Sequence, residues 1–204
     1  MKKILVLATL LFFNLACLFA QWNGNPALVN NPISTAPIQE DNVTMVTDGT
    51  GGVIAAWVGY DNDNDAYSIH IQRKTNAGGI AWQTANNPIL VDTSLTNSLE
   101  ISDLKSDGSG GAFITWIKYL TDSTSDIYVQ HFNSGGTKLF GSAAIKLNPT
   151  NGHYYYTPKL CVNTTGFIVC WTDEQDTYNS NIPLYAQVFV QRFNTDGEIG
   201  RAHV

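Results

Sequence analysis

The chain is short of almost everything that advertises chemistry. Three cysteines, four histidines and two methionines stand among 204 residues, and charged side chains make up only 14%. His70, His153 and His203 show no metal-ligand spacing to one another. No GxSxG turn, HExxH helix or phosphate loop occurs. These gaps exclude the commonest signatures of serine hydrolases, zinc proteases and nucleotide-binding proteins. Basic residues are scarce too, with 11 Lys and Arg against 17 Asp and Glu and a formal net charge of −6. Such a chain repels a phosphate backbone, which argues against a nucleic-acid partner. No stretch sustains a helical period. No apolar run reaches the roughly 20 residues that a membrane span wants.

What is present begins with an address. Met1-Lys2-Lys3 precedes an apolar run from Ile4 to Ala20, broken by Thr9 and Asn14, before the chain turns polar at Gln21. A basic start, a short apolar stretch and a small residue at its end read as a signal peptide over residues 1–20. Lipid attachment at Cys17 is the alternative, although Asn14 stands where a lipobox wants leucine. Cleavage after Ala20 removes Lys2 and Lys3 and takes the net charge to −8. The expected mature chain, residues 21–204, is exported, acidic and one domain in length.

One unit is written three times. Val46 to Trp57 reads VTDGTGGVIAAW, Lys105 to Trp116 reads KSDGSGGAFITW, and Cys161 to Trp171 reads CVNTTGFIVCW. The tryptophans are 59 and 55 residues apart, a period that calls for a repeat architecture. Turn signals divide each copy into about four strands, in the first copy near Asn42 to Thr47, Val53 to Tyr60, Tyr67 to Lys74 and Ile80 to Val91. The second strand is apolar on both faces, as expected between two neighbouring sheets. The third ends in IQRKTNAGG, VQHFNSGG or VQRFNTDG, with Gly78, Gly136 and Gly197 six residues after the glutamine, where a tight turn needs positive φ.

Four-stranded units of this kind predict an all-β chain of β-propeller blades, with approximate bounds 33–92, 93–148 and 149–204. The run DGxGGxxxxW, then DIYVQ, then NSGG resembles the blade repeats of secreted bacterial β-propeller proteins, many from species with type IX secretion. Residues 42–200 carry that resemblance. It implies a secreted or cell-surface scaffold and says little about activity. Residues 21–30, QWNGNPALVN, resemble the close of the first copy, AWQTANNPIL, and so form a candidate closing strand. Three blades fall short of the usual four to eight or so. The expectation is therefore the amino-terminal part of a longer protein, or else a homodimer whose two chains make one six-blade ring.

In an up-and-down blade the Asp-Gly turns share one end, and the acidic second-to-third loops, Asp61 to Asp65, Thr121 to Asp126 and Thr172 to Asp176, share the other with the inter-blade links. Partners are expected at the acidic end. In Asp61-Asn62-Asp63-Asn64-Asp65 the carboxylates Asp61, Asp63 and Asp65 alternate as the first ligands of a calcium loop do. Ala66 replaces the glycine of that motif and Gln72 its closing glutamate. Solvated turn residues are the plainer reading of this loop. His153, Tyr154, Tyr155 and Tyr156, in the link before the third copy, could stack on a sugar or a protein partner, or alternate into the next blade. Cys161 and Cys170 flank a turn and are candidates for a disulfide or for two small apolar fillers. Arg73, His131 and Arg192 recur at one repeat position, which predicts a blade-stabilising role.

No catalytic residue is assigned. The resulting expectation is a non-catalytic extracellular module for binding or scaffolding, with a glycan or protein ligand and no cofactor other than calcium. The alternative is a carbohydrate-active enzyme of hydrolase or lyase type whose catalytic residues lie in missing blades.

Overall fold

The computed structural model describes residues 31–121, 124–175 and 185–200. Within them the chain folds into three antiparallel sheets that follow one another in sequence. The first holds β1 (Gln39–Thr47), β2 (Val53–Asp61), β3 (Ala66–Lys74) and β4 (Ile89–Ser94), in that spatial order. The second holds β5 (Leu99–Ser106), β6 (Ala112–Thr121), β7 (Thr124–Phe132) and β8 (Ile145–Lys146), ordered likewise. The third holds β9 (Tyr154–Asn163), β10 (Gly166–Gln175) and β11 (Tyr185–Phe193), with β10 in the middle. The fold is all-β, an array of propeller-type blades. No helix among the described residues is long and apolar enough to cross a membrane.

Each sheet starts from its turn. Asp48 is fully buried, and its carboxylate accepts the Thr50 and Gly52 amides at 2.7 and 2.8 Å, the Thr50 hydroxyl at 2.8 Å and Arg73 Nε at 2.9 Å. Asp107 repeats the arrangement with Ser109, Gly111 and His131 Nε2. In the third copy Asn163 caps Thr165, and Arg192 reaches the Thr165 hydroxyl at 3.3 Å. The recurring basic position thus ties the end of the third strand to the first turn. Arg73 also donates to Ser134 O of the next sheet, so it links blades as well. The glycine opening each second strand is obligatory for another reason. A Cβ on Gly52, Gly111 or Gly166 would collide with the carbonyl oxygen of Lys74, Phe132 or Phe193.

The repeated glutamine holds the far side of the blade. Gln72 and Gln130 are fully buried. Gln72 accepts the Trp82 amide at 3.0 Å and donates to Thr84 O at 3.3 Å. Gln130 accepts the Phe140 amide at 3.0 Å and donates to Gly141 O at 2.8 Å. These bonds satisfy the backbone of a connection with no regular ladder. The stretch from Ile80 to Val91, read from sequence as one closing strand, is accordingly turn-rich up to Pro88, and only Ile89–Ser94 is strand.

Packing joins sheet to sheet. One apolar cluster sets Ile54, Ala56, Val58, Ile69 and Ile71 of the first sheet against Leu104, Ala112, Ile114, Trp116 and Phe132 of the second. Another sets Phe113, Ile117, Ile127 and Val129 of the second against Leu160, Phe167, Val169, Trp171 and Phe193 of the third. The joint is close. A Cβ on Gly136 would stand 2.9 Å from Trp82 of the preceding blade, and one on Gly197 the same distance from Phe140. Trp82 adds a bond from Nε1 to Ser134 O at 2.9 Å.

Two consequences are measurable by denaturant unfolding. Gly108 has positive φ but open space around it, so Gly108→Ala should cost about 1 kcal/mol, the backbone term alone. Gly111→Ala, which drives a methyl into Phe132 O, should cost at least about twice as much. Burial by itself would raise the Asp48 pKa. The bonds from Thr50, Gly52 and Arg73 outweigh it and hold the group at about 2. The stability this supplies is complete above the ordinary value of 3.8 and is lost as pH falls through 2. Asp48→Asn should therefore remove about 2 kcal/mol at neutral pH and flatten the acid limb of the stability curve.

Candidate functional site

The first strand of each sheet lies beside the first strand of the next, so β1, β5 and β9 form the inner wall of the array. All three are interrupted at the same place. The β1–β2 register shifts between Asp41 and Thr44, β5–β6 between Ile101 and Asp103, and β9–β10 between Cys170 and Thr172. Asn42 and Thr157, three residues before Met45 and Leu160, both take φ of 52°. Such bulges turn a strand and re-aim its side chains. Asp103 uses the interruption to accept the Leu160 amide at 2.9 Å, which fastens β5 to β9.

Between β1 and β5 opens a groove of about 550 Å³. Asn42, Val43 and Thr44 line one side, Ser98 to Ile101 the other, with Val58, Tyr67 and Tyr119 among the remaining walls. Tyrosines continue from it across the blade boundary. Tyr119 stacks on Tyr154 with ring centroids 6.0 Å apart, and Tyr154 meets Tyr156 at 5.7 Å. Tyr67 contacts Tyr60 at 4.9 Å. The Tyr119 hydroxyl donates to Glu100 Oε2 at 2.5 Å. Burial, the Glu100 bond and its charge, and Tyr154 together push the Tyr119 phenol well above its ordinary range. The groove therefore offers flat aromatic faces beside a carboxylate and an amide, suited to a ligand with both apolar faces and hydroxyls.

The residues singled out from sequence divide between this row and its supports. Tyr154 and Tyr156 are half-buried in the row. Tyr155 turns the other way and is 1% exposed, its hydroxyl on Asn151 and its amide and carbonyl both bonded to the Ser125 hydroxyl. His153 is held by Asp173 at 2.8 Å and sits beside the row as a brace. The acidic residues are mostly in use. Asp126 and Asp173 belong to β7 and β10, which run further than the loops expected there, and Asp126 pairs with Lys146 at 2.7 Å. Asp122 and Asp176 lie outside the described residues.

In the first loop the Asp61 carboxylate caps Asp63 and Asn64, and Asp65 accepts the Tyr60 hydroxyl. Asp63 is exposed. Among the described residues no three His, Cys, Asp or Glu side chains gather as metal ligands would. Cys161 and Cys170 are free thiols. Their strands pair Cys161 with Ile168 and Cys170 with Lys159, which offsets the cysteines by two residues. Diagonal Cβ atoms stand roughly 7 Å apart and a bridge wants about 4 Å, so of the two candidate readings the disulfide is not formed in this geometry.

Tyr67, Glu100 and Tyr119 were not among the sequence candidates. A signal for Tyr119 was available: Tyr60 and Tyr119 both stand three residues after the repeated tryptophan, with Glu174 at that place in the third copy.

No protein-family model matches the chain, and no curated protein matches it in sequence. Among solved structures, it is similar to a GH43 endo-arabinanase from Bacillus licheniformis, at 9% identity and a TM-score of 0.29, over 79% of this chain and 77% of that one. A likeness so distant carries no argument about activity. The blade assignment stands on the three sheets themselves.

The groove tyrosine has a measurable signature. An acid whose folded pKa is raised adds stability that is full below its ordinary value of 10.0 and is lost as pH rises through the folded value. Tyr119 contributes in this sense, as does Tyr128, pushed up to about 12 by burial and Asp126. Stability should fall as pH rises above 10, and Tyr119→Phe should make that fall shallower. Ultraviolet titration of both proteins, followed beside their unfolding, checks it.

Proposed function

We propose that this chain is a non-catalytic extracellular or cell-surface binding module and that its inner groove takes a glycan. The observation that carries the reading is the row Tyr67, Tyr119, Tyr154 and Tyr156 beside Glu100 and Asn42. Aromatic rings pack on the apolar faces of sugars, and carboxylate and amide oxygens accept their hydroxyls. A binding role is favoured over hydrolysis by the count of acids. Glycosidases typically flank the scissile bond with two carboxyl groups, and Glu100 is the one carboxylate among the described residues lining this groove. Glu100 is also engaged by Tyr119. The apparent signal peptide supports an extracellular setting.

Equilibrium binding to a panel of soluble oligosaccharides tests this, with release of reducing ends followed in parallel. At least one glycan should bind, and Tyr119→Ala or Tyr154→Ala should weaken it about tenfold, the 1.4 kcal/mol expected of a lost stacking partner. Absence of binding across the panel would remove the glycan. Steady release of reducing ends would instead place the protein among carbohydrate-active enzymes.

A further inference from the structure

The groove between β1 and β5 is walled by two sheets and carries one sign of charge. Tyr67 comes from β3 of the first sheet, and Glu100 and Tyr119 come from β5 and β6 of the second. Glu100 is exposed, and among the described residues that line the groove no Lys, Arg or His answers it. The bases of the adjoining strands are committed elsewhere. Lys118 Nζ of β6 lies 3.7 Å from Asp92 and donates to Thr93 O, Lys105 of β5 pairs with Asp103 at 2.9 Å, and Lys159 of β9 donates to Ser102 O at 2.6 Å. Glu100 Oε2 accepts the Tyr119 hydroxyl, while no described group bonds Oε1. The phenols on the two sides are alike in this respect. Tyr60, which packs on Tyr67 with ring centroids 4.9 Å apart, donates to Asp65 as Tyr119 donates to Glu100. Donation to a carboxylate polarises a phenol and enriches its ring in electrons. Such ring faces beside an unanswered carboxylate attract a cation and repel an anion.

We propose that the groove recognises a glycan with a free amine, an amino-sugar oligomer whose ammonium sits against Glu100 and the faces of Tyr67 and Tyr119. The inference rests on the glycan reading above and adds the charge of the sugar. An ammonium brings three donors, for which Glu100 Oε1 and the amide oxygen of Asn42 are acceptors in the same groove. The rings take its charge, and the next sugar lies along the row toward Tyr154, which stacks on Tyr119. An acetylated amine is neutral and keeps one N–H, so it forfeits the charge. A uronic acid meets Glu100 as a like charge.

Calorimetric titration with three oligosaccharides of equal length tests this: a glucosamine oligomer, its N-acetylated form and a uronic acid oligomer. At about pH 5.5 an amine of ordinary pKa is protonated. The free amine should bind about tenfold tighter than the acetylated sugar, and the uronic acid should bind least. Glu100→Gln should abolish that preference without changing affinity for the acetylated oligomer, with an unchanged melting curve as the control on folding. Tyr119→Phe breaks the same hydrogen bond but keeps ring and carboxylate, so it should retain the preference. Choline, an ammonium without a sugar, should bind more weakly than the amine oligomer by about tenfold or more. Equal affinity for the two amine states, a tighter uronic acid, or the same loss in Glu100→Gln and Tyr119→Phe would overturn the ammonium and leave the glycan reading standing. Failure of every oligosaccharide to bind, whether or not choline does, would overturn the glycan reading and this one with it.

Discussion

Every sheet in this protein is apolar on both faces, and that constraint governs the rest. A two-sided strand such as Val53–Asp61 cannot be half exposed without leaving large side chains in water, so no blade can satisfy itself alone. Each must be covered by a neighbour in front and behind. The glycines of the third-to-fourth turns permit close approach, since Gly136 and Gly197 abut the aromatic residue and the isoleucine of the blade before. The glutamines serve the same end from inside, because Gln72 and Gln130 hold Trp82 and Phe140 where the next blade meets them.

Buried polar groups fix position in a core that is otherwise non-directional. The Asp48 and Asp107 carboxylates and the two glutamines are enclosed and accept or donate several bonds each, so a displaced blade would leave them unsatisfied. The inner bulges follow from the same need to join sheets. They bring Asp103 to the backbone of β9 and, by bending β1 and β5 at matching places, leave the groove between them open. The candidate site is thus a product of how blades are joined, and the side chains that distinguish it lie where the repeat pattern departs from itself.

Legibility in the sequence was uneven for physical reasons. Turns were readable because Asp-Gly and Gly-Gly pairs are dictated by backbone conformation within a few residues. The role of Arg73 was readable from recurrence alone, since a charge that returns at one repeat position has a repeated partner. The third-to-fourth connection was misread because its apolar residues look like a strand, while Gln72 supplies the bonds that a strand would have made. The Asp126 and Asp173 positions were read as loop, but cross-strand pairing extends β7 and β10 through them. The tyrosine run was seen, and its alternation placed Tyr155 inside, yet Tyr67 and Glu100 come from other blades and have no local mark.

By itself the sequence determined the class of fold, the number of sheets, the turn positions and the two-sided burial of the second strands. These depend on period, glycine placement and side-chain polarity, all short-range properties. Only the tertiary structure decided which tyrosines face the inner groove, which acids are held by Lys146 or His153, and that Val188, Val190 and Met45 stand exposed where their counterparts are covered. Those depend on inter-blade register, which is set by contacts between residues some sixty positions apart.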